Sequence, residues 1–187
     1  HELRPEHHLG SGGRTRAIVK VQDGCNANCS FCIIPSVRGR SRSLPAEAVL
    51  SEMRALVDRG YKEVVFSGIH LGTYGRDFDL PTSLYALALR TLDEIPQLER
   101  LRLSSIEPLE VTTEIVDLVV EHPRLARHFH IPLQSGSPRV LRQMRRPYSP
   151  AYYAGLVQKI RERSPEAAIG ADVMVGFPGE TDETFNE

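Results

Sequence analysis

The sequence has almost no net charge, no long apolar run and no cysteine outside one short segment. Its 23 lysines and arginines nearly balance 24 aspartates and glutamates, so nucleic acid could be bound only through a local basic patch. No stretch approaches the roughly 18 apolar residues of a membrane-spanning helix. With 41% hydrophobic residues in a chain of 187, the composition excludes disorder, collagen and coiled coil and is typical of a globular domain.

Composition divides the chain into a linker and one domain. Residues 1–15 contain the run Gly10-Ser11-Gly12-Gly13 and show no periodic apolar face, so we predict a linker from a missing N-terminal domain. We expect residues 16–187 to form one domain, truncated at its C-terminal end, because the sequence stops just after the start of a further predicted helix. The polar first residues show no signal peptide, and we expect a cytoplasmic protein.

From Ala17 onward, short apolar runs alternate with amphipathic helical stretches. The predicted strands are Ala17–Val21, Glu63–Phe66, Leu101–Leu103, His128–Leu133 and Ala168–Val175. The predicted helices are Pro45–Arg59, Leu84–Ile95 and Thr113–Glu121, with two more that begin at Ser137-Pro138 and Ser149-Pro150. Five β/α units in series predict an α/β fold with parallel strands and outer helices. In such folds the chemistry lies at the carboxyl ends of the strands.

The three cysteines lie within eight residues, in the pattern C-x3-C-x2-C directly after the first strand. Such a group is not a disulfide framework and indicates a metal site in a reducing compartment. A structural zinc site takes four protein ligands, and His70, His128 and His130 show no zinc-like spacing to the cysteines. A cubane iron–sulfur cluster normally takes four thiolates, so three leave one iron open for a small molecule. Phe31 within the loop either packs in the core or shields the cluster from water.

This loop resembles that of the radical S-adenosylmethionine (SAM) superfamily, with an aromatic residue before the last cysteine. Five segments together resemble the methylthiotransferase branch, namely 21–26, 32–35, 38–43, 133–137 and 176–181. Two others, Gly68–Asp77 and Leu103–Pro108, most resemble the enzymes that act on N6-threonylcarbamoyladenosine in tRNA, beside the anticodon. The resemblance spans residues 16–187 and implies a partial (β/α) barrel of the radical SAM type.

The resemblance implies that Cys25, Cys29 and Cys32 hold a [4Fe–4S] cluster whose open iron binds SAM. One electron would cleave SAM to a 5′-deoxyadenosyl radical, which abstracts hydrogen from an unactivated carbon. In the family a second [4Fe–4S] cluster, held by an N-terminal domain, supplies the sulfur, and a further SAM supplies the methyl group. Residues 1–187 contain no cysteines for that second cluster, so we expect SAM cleavage without complete methylthiolation.

The resemblance also indicates which side chains contact the cofactor and the substrate. The expected cofactor contacts are Phe31, Ser67, Gly68, Ser105, Glu107, Gln134, Val175 and Gly176. The expected RNA contacts are Arg38, Arg40, Arg42, His70 and Tyr74. A second arginine group is interpreted either as a solvated helix face or as a phosphate contact; its members are Arg139, Arg142, Arg145 and Arg146. For most of these side chains a turn, surface or core role is the alternative.

The implied partners are the tRNA anticodon loop and an electron donor such as flavodoxin or ferredoxin, and we expect a monomer without membrane contact. Two alternatives within the branch act on isopentenyladenosine or on a ribosomal-protein aspartate. An alternative of another class is a zinc-stabilised RNA-binding module without catalysis, which predicts one zinc ion and no SAM binding. Dinucleotide binding is disfavoured because no G-x-G-x-x-G follows the first strand.

Overall fold

A computed structural model describes residues 15–187. Its strands are β1 (Arg16–Asp23), β2 (Arg42–Ser43), β3 (Glu63–Gly68), β4 (Arg100–Leu103), β5 (His128–His130) and β6 (Ala168–Gly170). Its α-helices are α1 (Ile34–Val37), α2 (Ala46–Asp58), α3 (Leu84–Glu94), α4 (Thr113–Glu121), α5 (Pro138–Gln143), α6 (Pro150–Arg163) and α7 (Asp182–Asn186). Except for Thr15, the predicted linker lies outside the described residues.

The parallel strands form a curled half-barrel. β1, β3 and β4 are parallel neighbours in one sheet, and β5 and β6 form a second parallel pair. Single bridges extend the pairing beyond the strands and join the two sheets, namely Leu101 with Leu125, Ser105 with His130 and Gln134 with Val173. This arrangement confirms the predicted α/β fold with parallel strands and outer helices, and the partial barrel that the resemblance implies.

The core lies between the sheet and the helices that cover it. Alternate residues of β1 and β3 are buried, because successive side chains of a strand face opposite sides; they are Ala17, Val19, Val21, Val64 and Phe66. From α2, Val49, Met53 and Leu56 pack onto them, as the helical spacing predicted. Each large apolar side chain that is fully buried contributes about 1.5–3 kcal/mol, so the core holds the strand ends in place.

The two helices predicted to begin at Ser-Pro pairs do begin there, with serine as the N-terminal cap. The Ser137 hydroxyl accepts a hydrogen bond from the Val140 amide at 3.4 Å, and the Ser149 hydroxyl accepts one from the Tyr152 amide at 3.1 Å. In each case proline occupies the first helical position, where no amide hydrogen is needed. No helix within residues 15–187 is long and apolar enough to cross a membrane.

Two predicted strands are shorter in the structure than the sequence indicated. β5 ends at His130 instead of Leu133, and β6 ends at Gly170 instead of Val175. Beyond them, Gln134 takes a left-handed backbone conformation with φ of 66°. The amides of Leu133 and Gln134 both donate to the Asp172 carbonyl, at 3.1 and 2.8 Å, so two residues on one side face one on the other. This irregularity leaves only the single bridge between Gln134 and Val173 there. β2 is an additional short strand that the sequence did not indicate.

Candidate functional site

The cysteine loop begins at a glycine whose backbone conformation and close neighbours disfavour any side chain. Gly24 has φ of +69°, and a Cβ atom there would lie 2.8 Å from the Gly39 carbonyl oxygen and 2.7 Å from the Arg40 carbonyl carbon. The next residue closes the loop, because the Cys25 amide donates to the Gly39 carbonyl at 3.1 Å. The chain therefore returns along itself, and the cysteines lie on a short closed loop at the end of β1.

Gln22 ties this loop to the neighbouring strand end. Its side chain is fully buried. Its amide nitrogen donates to the Gly24 carbonyl at 2.8 Å and to the Ser41 hydroxyl at 2.9 Å, and its amide oxygen accepts from the His70 amide at 2.8 Å. Sequence reasoning assigned Gln22 no role; the available signal was a polar side chain at the end of an apolar strand.

Two arginines of the first arginine group converge on a buried carboxylate. Asp23 accepts a hydrogen bond from the Gly24 amide at 2.8 Å, and its other oxygen lies 3.6 Å from Arg38 and 3.4 Å from Arg42. Arg38 and Arg42 therefore also hold the loop, in addition to any contact with RNA. Arg40, between them, is exposed.

All three cysteines line one cavity of about 560 Å³ at the carboxyl ends of the parallel strands. Six of the expected cofactor and RNA contacts line the same cavity, namely Phe31, Gly68, His70, Ser105, Glu107 and Gln134. Arg145 and Arg146 of the second arginine group line it too. Ser67, Val175 and Gly176 do not line it, and the last two are exposed beyond β6. A larger cavity of about 750 Å³ lies between α4 and α6, but no cysteine or histidine lines it.

Burial at the cavity wall shifts the pKa values of Cys25 and His70. Burial raises the pKa of the Cys25 thiol, against the hydrogen bond that the Ala27 amide donates to its sulfur at 3.3 Å. Burial lowers the pKa of His70, so its imidazole is neutral at neutral pH, although the nearby Glu107 carboxylate acts in the opposite direction. The His70 Nδ1 atom lies 3.5 Å from the Cys25 sulfur.

A buried arginine joins the cysteine loop to the far side of the cavity. Arg146 donates to the Cys29 sulfur at 3.2 Å and forms an ion pair with Glu107. Its Nε atom donates to the Tyr148 hydroxyl at 3.3 Å. Burial opposes the charge, but Glu107 and Tyr148 raise the pKa of Arg146 above its ordinary value. Arg146 is thus a charged part of the cavity wall, whereas the sequence left open a solvated face or a phosphate contact.

Tyr74, one of the expected RNA contacts, is buried. Its ring is 1% exposed, its hydroxyl donates to the Leu44 carbonyl at 2.8 Å, and its edge packs against Phe78. The ring has no free face on which an RNA base could lie, which favours the alternative core role of Tyr74 over the expected RNA contact. The sequence around Tyr74 is a polar loop, and nothing in it indicates that the ring is buried.

A chain of polar groups connects three strand ends beside the cavity. The Ser105 hydroxyl and the His130 Nδ1 atom lie 2.6 Å apart, and the His130 Nε2 atom lies 3.4 Å from an Asp172 carboxylate oxygen. Ser105 follows β4, His130 ends β5 and Asp172 follows β6. These contacts with His130 and Asp172 orient the hydroxyl of Ser105, which lines the cavity.

A second cavity of about 320 Å³, lined mostly by polar residues, adjoins the first. The two share Ala27, His70 and Glu110. The remaining lining of the second cavity is polar, consisting of Asn26, Ser41, Thr73, Arg76 and Asp77. Arg76 forms an ion pair with Glu110 there. The Gly68–Asp77 segment of the sequence therefore borders both cavities.

The fold and the cysteine cavity agree with a family match over nearly the whole chain. The sequence profile described as the Radical SAM superfamily matches residues 19–187. The chain belongs to this superfamily. Radical SAM proteins are defined by a [4Fe–4S] cluster and SAM, and the family therefore implies both cofactors.

Curated relatives of this radical SAM chain are tRNA-modifying enzymes. Threonylcarbamoyladenosine tRNA methylthiotransferase MtaB of Bacillus subtilis is 45% identical over 175 residues, which are 93% of this chain and 38% of that protein. The tRNA-2-methylthio-N(6)-dimethylallyladenosine synthase of Corynebacterium urealyticum is 46% identical over 172 residues, covering 89% of this chain and 32% of that protein. The chain thus spans about a third to two fifths of these relatives, and identity alone does not separate the two substrates.

A solved structure shows the same fold. The radical SAM methyltransferase TsrM from Kitasatospora setae, with tryptophan substrate and a SAM analogue bound, aligns with a TM-score of 0.70. The alignment covers 90% of this chain and 32% of that chain, at 22% identity. At this identity the likeness concerns the radical SAM barrel alone.

The donor set fits a cluster better than a single ion. Within residues 15–187, no three His, Cys, Asp or Glu side chains converge on one point where a metal ion could be held. A cubane takes each thiolate on a different iron, so its three ligands need only line one cavity, as these do.

Proposed function

We propose that this chain is the radical SAM core of a tRNA methylthiotransferase that acts on N6-threonylcarbamoyladenosine next to the anticodon. The observation that carries the proposal is the single cavity formed by Cys25, Cys29 and Cys32 at the strand ends. The 45% identity to MtaB over almost the full chain supports the reaction class.

The three cysteines hold the [4Fe–4S] cluster, and the open part of the cavity takes SAM. When bound, the cluster supplies the electron that cleaves SAM to a 5′-deoxyadenosyl radical. Phe31, at the cavity wall, limits the access of water to the cluster. Gly68, Ser105, Glu107 and Gln134 face the space left for SAM and substrate. Ser67, Val175 and Gly176 remain predicted SAM contacts.

The polar side chains around the second cavity favour threonylcarbamoyladenosine over isopentenyladenosine. A threonylcarbamoyl group carries a hydroxyl, a urea and a carboxylate, all of which form hydrogen bonds. Asn26, Ser41, Thr73 and Arg76 already have hydrogen-bond or ion-pair partners within the chain. A threonylcarbamoyl group can add further hydrogen bonds to these side chains, whereas an isopentenyl chain can add none.

We propose that an N-terminal domain holds the second [4Fe–4S] cluster and that residues 1–15 link to it. The tRNA anticodon loop is the substrate, contacted by Arg38, Arg40 and Arg42. A flavodoxin or ferredoxin supplies electrons, and the protein acts as a cytoplasmic monomer. The chain alone cleaves SAM without completing methylthiolation.

Anaerobic reconstitution with iron and sulfide tests the cofactor assignment. After reduction we expect an electron paramagnetic resonance signal that shifts when SAM is added, and formation of 5′-deoxyadenosine. The Cys32→Ala variant, tested beside the wild type, should show neither the SAM-shifted signal nor 5′-deoxyadenosine. Folded wild-type protein that takes up zinc but no iron would overturn the proposal in favour of the zinc-stabilised module.

Binding of anticodon stem-loops tests the substrate assignment. We expect the reconstituted chain to bind a stem-loop with threonylcarbamoyladenosine more tightly than one with isopentenyladenosine. Arg76→Met should reduce this preference, because Arg76 lines the second cavity. Arg54→Met is the matched control, since Arg54 is also an exposed arginine paired with a glutamate but lies on α2. Equal or tighter binding of the isopentenyl stem-loop would contradict the assignment.

A further inference from the structure

Arg146 is the one charged side chain of the described residues that donates a hydrogen bond to a cysteine sulfur. Its side chain is only 5% exposed. One terminal nitrogen lies 3.2 Å from the Cys29 sulfur, and the other pairs with Glu107. A guanidinium presents its donors in a rigid planar fork, so the Glu107 contact fixes the direction of the donor that faces Cys29.

The surrounding segment, residues 142–148, keeps this guanidinium in place. Its Nε atom donates to the Tyr148 hydroxyl, and its central carbon lies 5.1 Å from the centre of the Tyr148 ring. The Tyr148 hydroxyl donates in turn to the Leu133 carbonyl at 2.9 Å. Arg145, just before Arg146, has a left-handed φ of 56°. Such a conformation costs about 1–3 kcal/mol and persists only where the surroundings enforce it.

The same segment also clasps the cysteine loop through its backbone. The Ser30 amide donates to the Met144 carbonyl at 3.1 Å, and the Ser30 hydroxyl donates to the Gln143 carbonyl at 2.8 Å. Ser30 directly follows Cys29. Three hydrogen bonds therefore connect this segment to the Cys29 side of the loop, and Arg146 supplies the one that reaches the sulfur.

We propose that Arg146 is a positioning residue that holds Cys29 and raises the reduction potential of the cluster, with Glu107 setting the strength of that effect. This inference rests on the proposed function. A hydrogen bond and a positive charge at a ligand sulfur stabilise the reduced cluster, which carries one more negative charge than the oxidised one. Glu107 is a negative charge beside the same donor, so it offsets part of the effect.

The opposite signs of the two charges give a test that packing alone cannot imitate. In the reconstituted chain, the one-electron potential is measured by titration with dithionite while the reduced-cluster resonance is recorded. We expect Arg146→Met to shift the potential to a more negative value and Glu107→Gln to shift it to a more positive value. Arg146→Lys, which keeps the charge but loses the fork, should lie between wild type and Arg146→Met.

Arg142→Met is the matched control, because Arg142 is an exposed arginine at the end of α5 that lies on the same segment. Its potential should equal that of the wild type. A second readout is the release of iron to a chelator, which we expect to become on the order of 10-fold faster in Arg146→Met.

The outcomes separate this inference from the proposed function. Unchanged potentials, or shifts of the same sign in Arg146→Met and Glu107→Gln, would overturn the role of Arg146 while the SAM-shifted resonance of the wild type upheld the function. Wild-type protein that binds no iron would overturn both. Should Arg146→Met fail to fold, the paired shifts of Arg146→Lys and Glu107→Gln decide the matter.

Discussion

Replacing Gly24 by alanine tests whether the cysteine loop closes as tightly as the structure has it. Two separate costs arise at this position. The first is the left-handed backbone, with φ of +69°, which costs an alanine about 1–2 kcal/mol. The second is the overlap of the new Cβ atom with the backbone of Gly39 and Arg40. Relief of that overlap requires the two arms of the loop to separate.

The second cost can be worked out from overpacking and the lost loop contact. Overpacking costs about 1–3 kcal/mol, and separation of the arms also endangers the hydrogen bond from the Cys25 amide to the Gly39 carbonyl, worth about 1 kcal/mol. We therefore expect Gly24→Ala to destabilise the chain by about 3–6 kcal/mol in total. This is a large part of the roughly 5–15 kcal/mol by which domains are stable.

Gly39→Ala in the same loop isolates the first cost. Gly39 also has a left-handed backbone, with φ of +76°, but the nearest atom to its Cβ position is the end of the Arg42 side chain at 3.9 Å. We expect it to lose only about 1–2 kcal/mol. Urea unfolding of both variants, followed by circular dichroism, measures the difference. Equal losses for Gly24→Ala and Gly39→Ala would refute the close approach at Gly24.

Three further predictions concern buried polar groups. Gln22→Leu should destabilise the chain by about 2–4 kcal/mol in urea unfolding, because it leaves buried backbone groups without partners; a loss below that of Tyr74→Phe would contradict this. Tyr74→Phe removes the hydrogen bond to Leu44 and should cost about 1 kcal/mol, with stem-loop affinity unchanged, so weaker RNA binding would restore the original interpretation. Burial opposes ionisation of Glu63, but its bond to Arg102 lowers the pKa below the ordinary 4.5. The stability that ionised Glu63 adds is therefore complete above pH 4.5 and is lost as the pH falls through the lower folded pKa. In Glu63→Gln the urea unfolding midpoint should therefore depend less on pH between about pH 5 and 3 than in the wild type. The same pH dependence in both proteins would contradict the assignment.

Much of the site could be predicted because local patterns report strand ends. The strand preceding Cys25 and the β-branched run that ends at Phe66, just before Gly68, were both recognisable, and parallel strands bring their carboxyl ends to one edge. Cys25, Gly68, Ser105 and Gln134 were therefore expected on one rim, and all four line one cavity. The spacing of the cysteines indicated the cofactor class without knowledge of any distance.

Other features of the site depend on contacts between distant residues. Arg146 and Cys29 are 117 positions apart, and nothing in the helical spacing of the arginine group distinguishes Arg146 from Arg142. One is buried against a sulfur, whereas the other is exposed at the end of α5. A left-handed turn at Arg145 directs the two side chains into different surroundings.

The sequence by itself determined the order of strands and helices, the three thiolates and the rim on which they lie, because these follow from periodicity and from spacing within short segments. Only the tertiary structure decided which side chains around the cysteines are buried and which form ion pairs. It paired Arg38 and Arg42 with Asp23, buried Tyr74 in the core and brought Arg146 between Cys29 and Glu107. The physical reason is that burial and ion pairing depend on which strand ends become neighbours, and a linear pattern does not contain those distances.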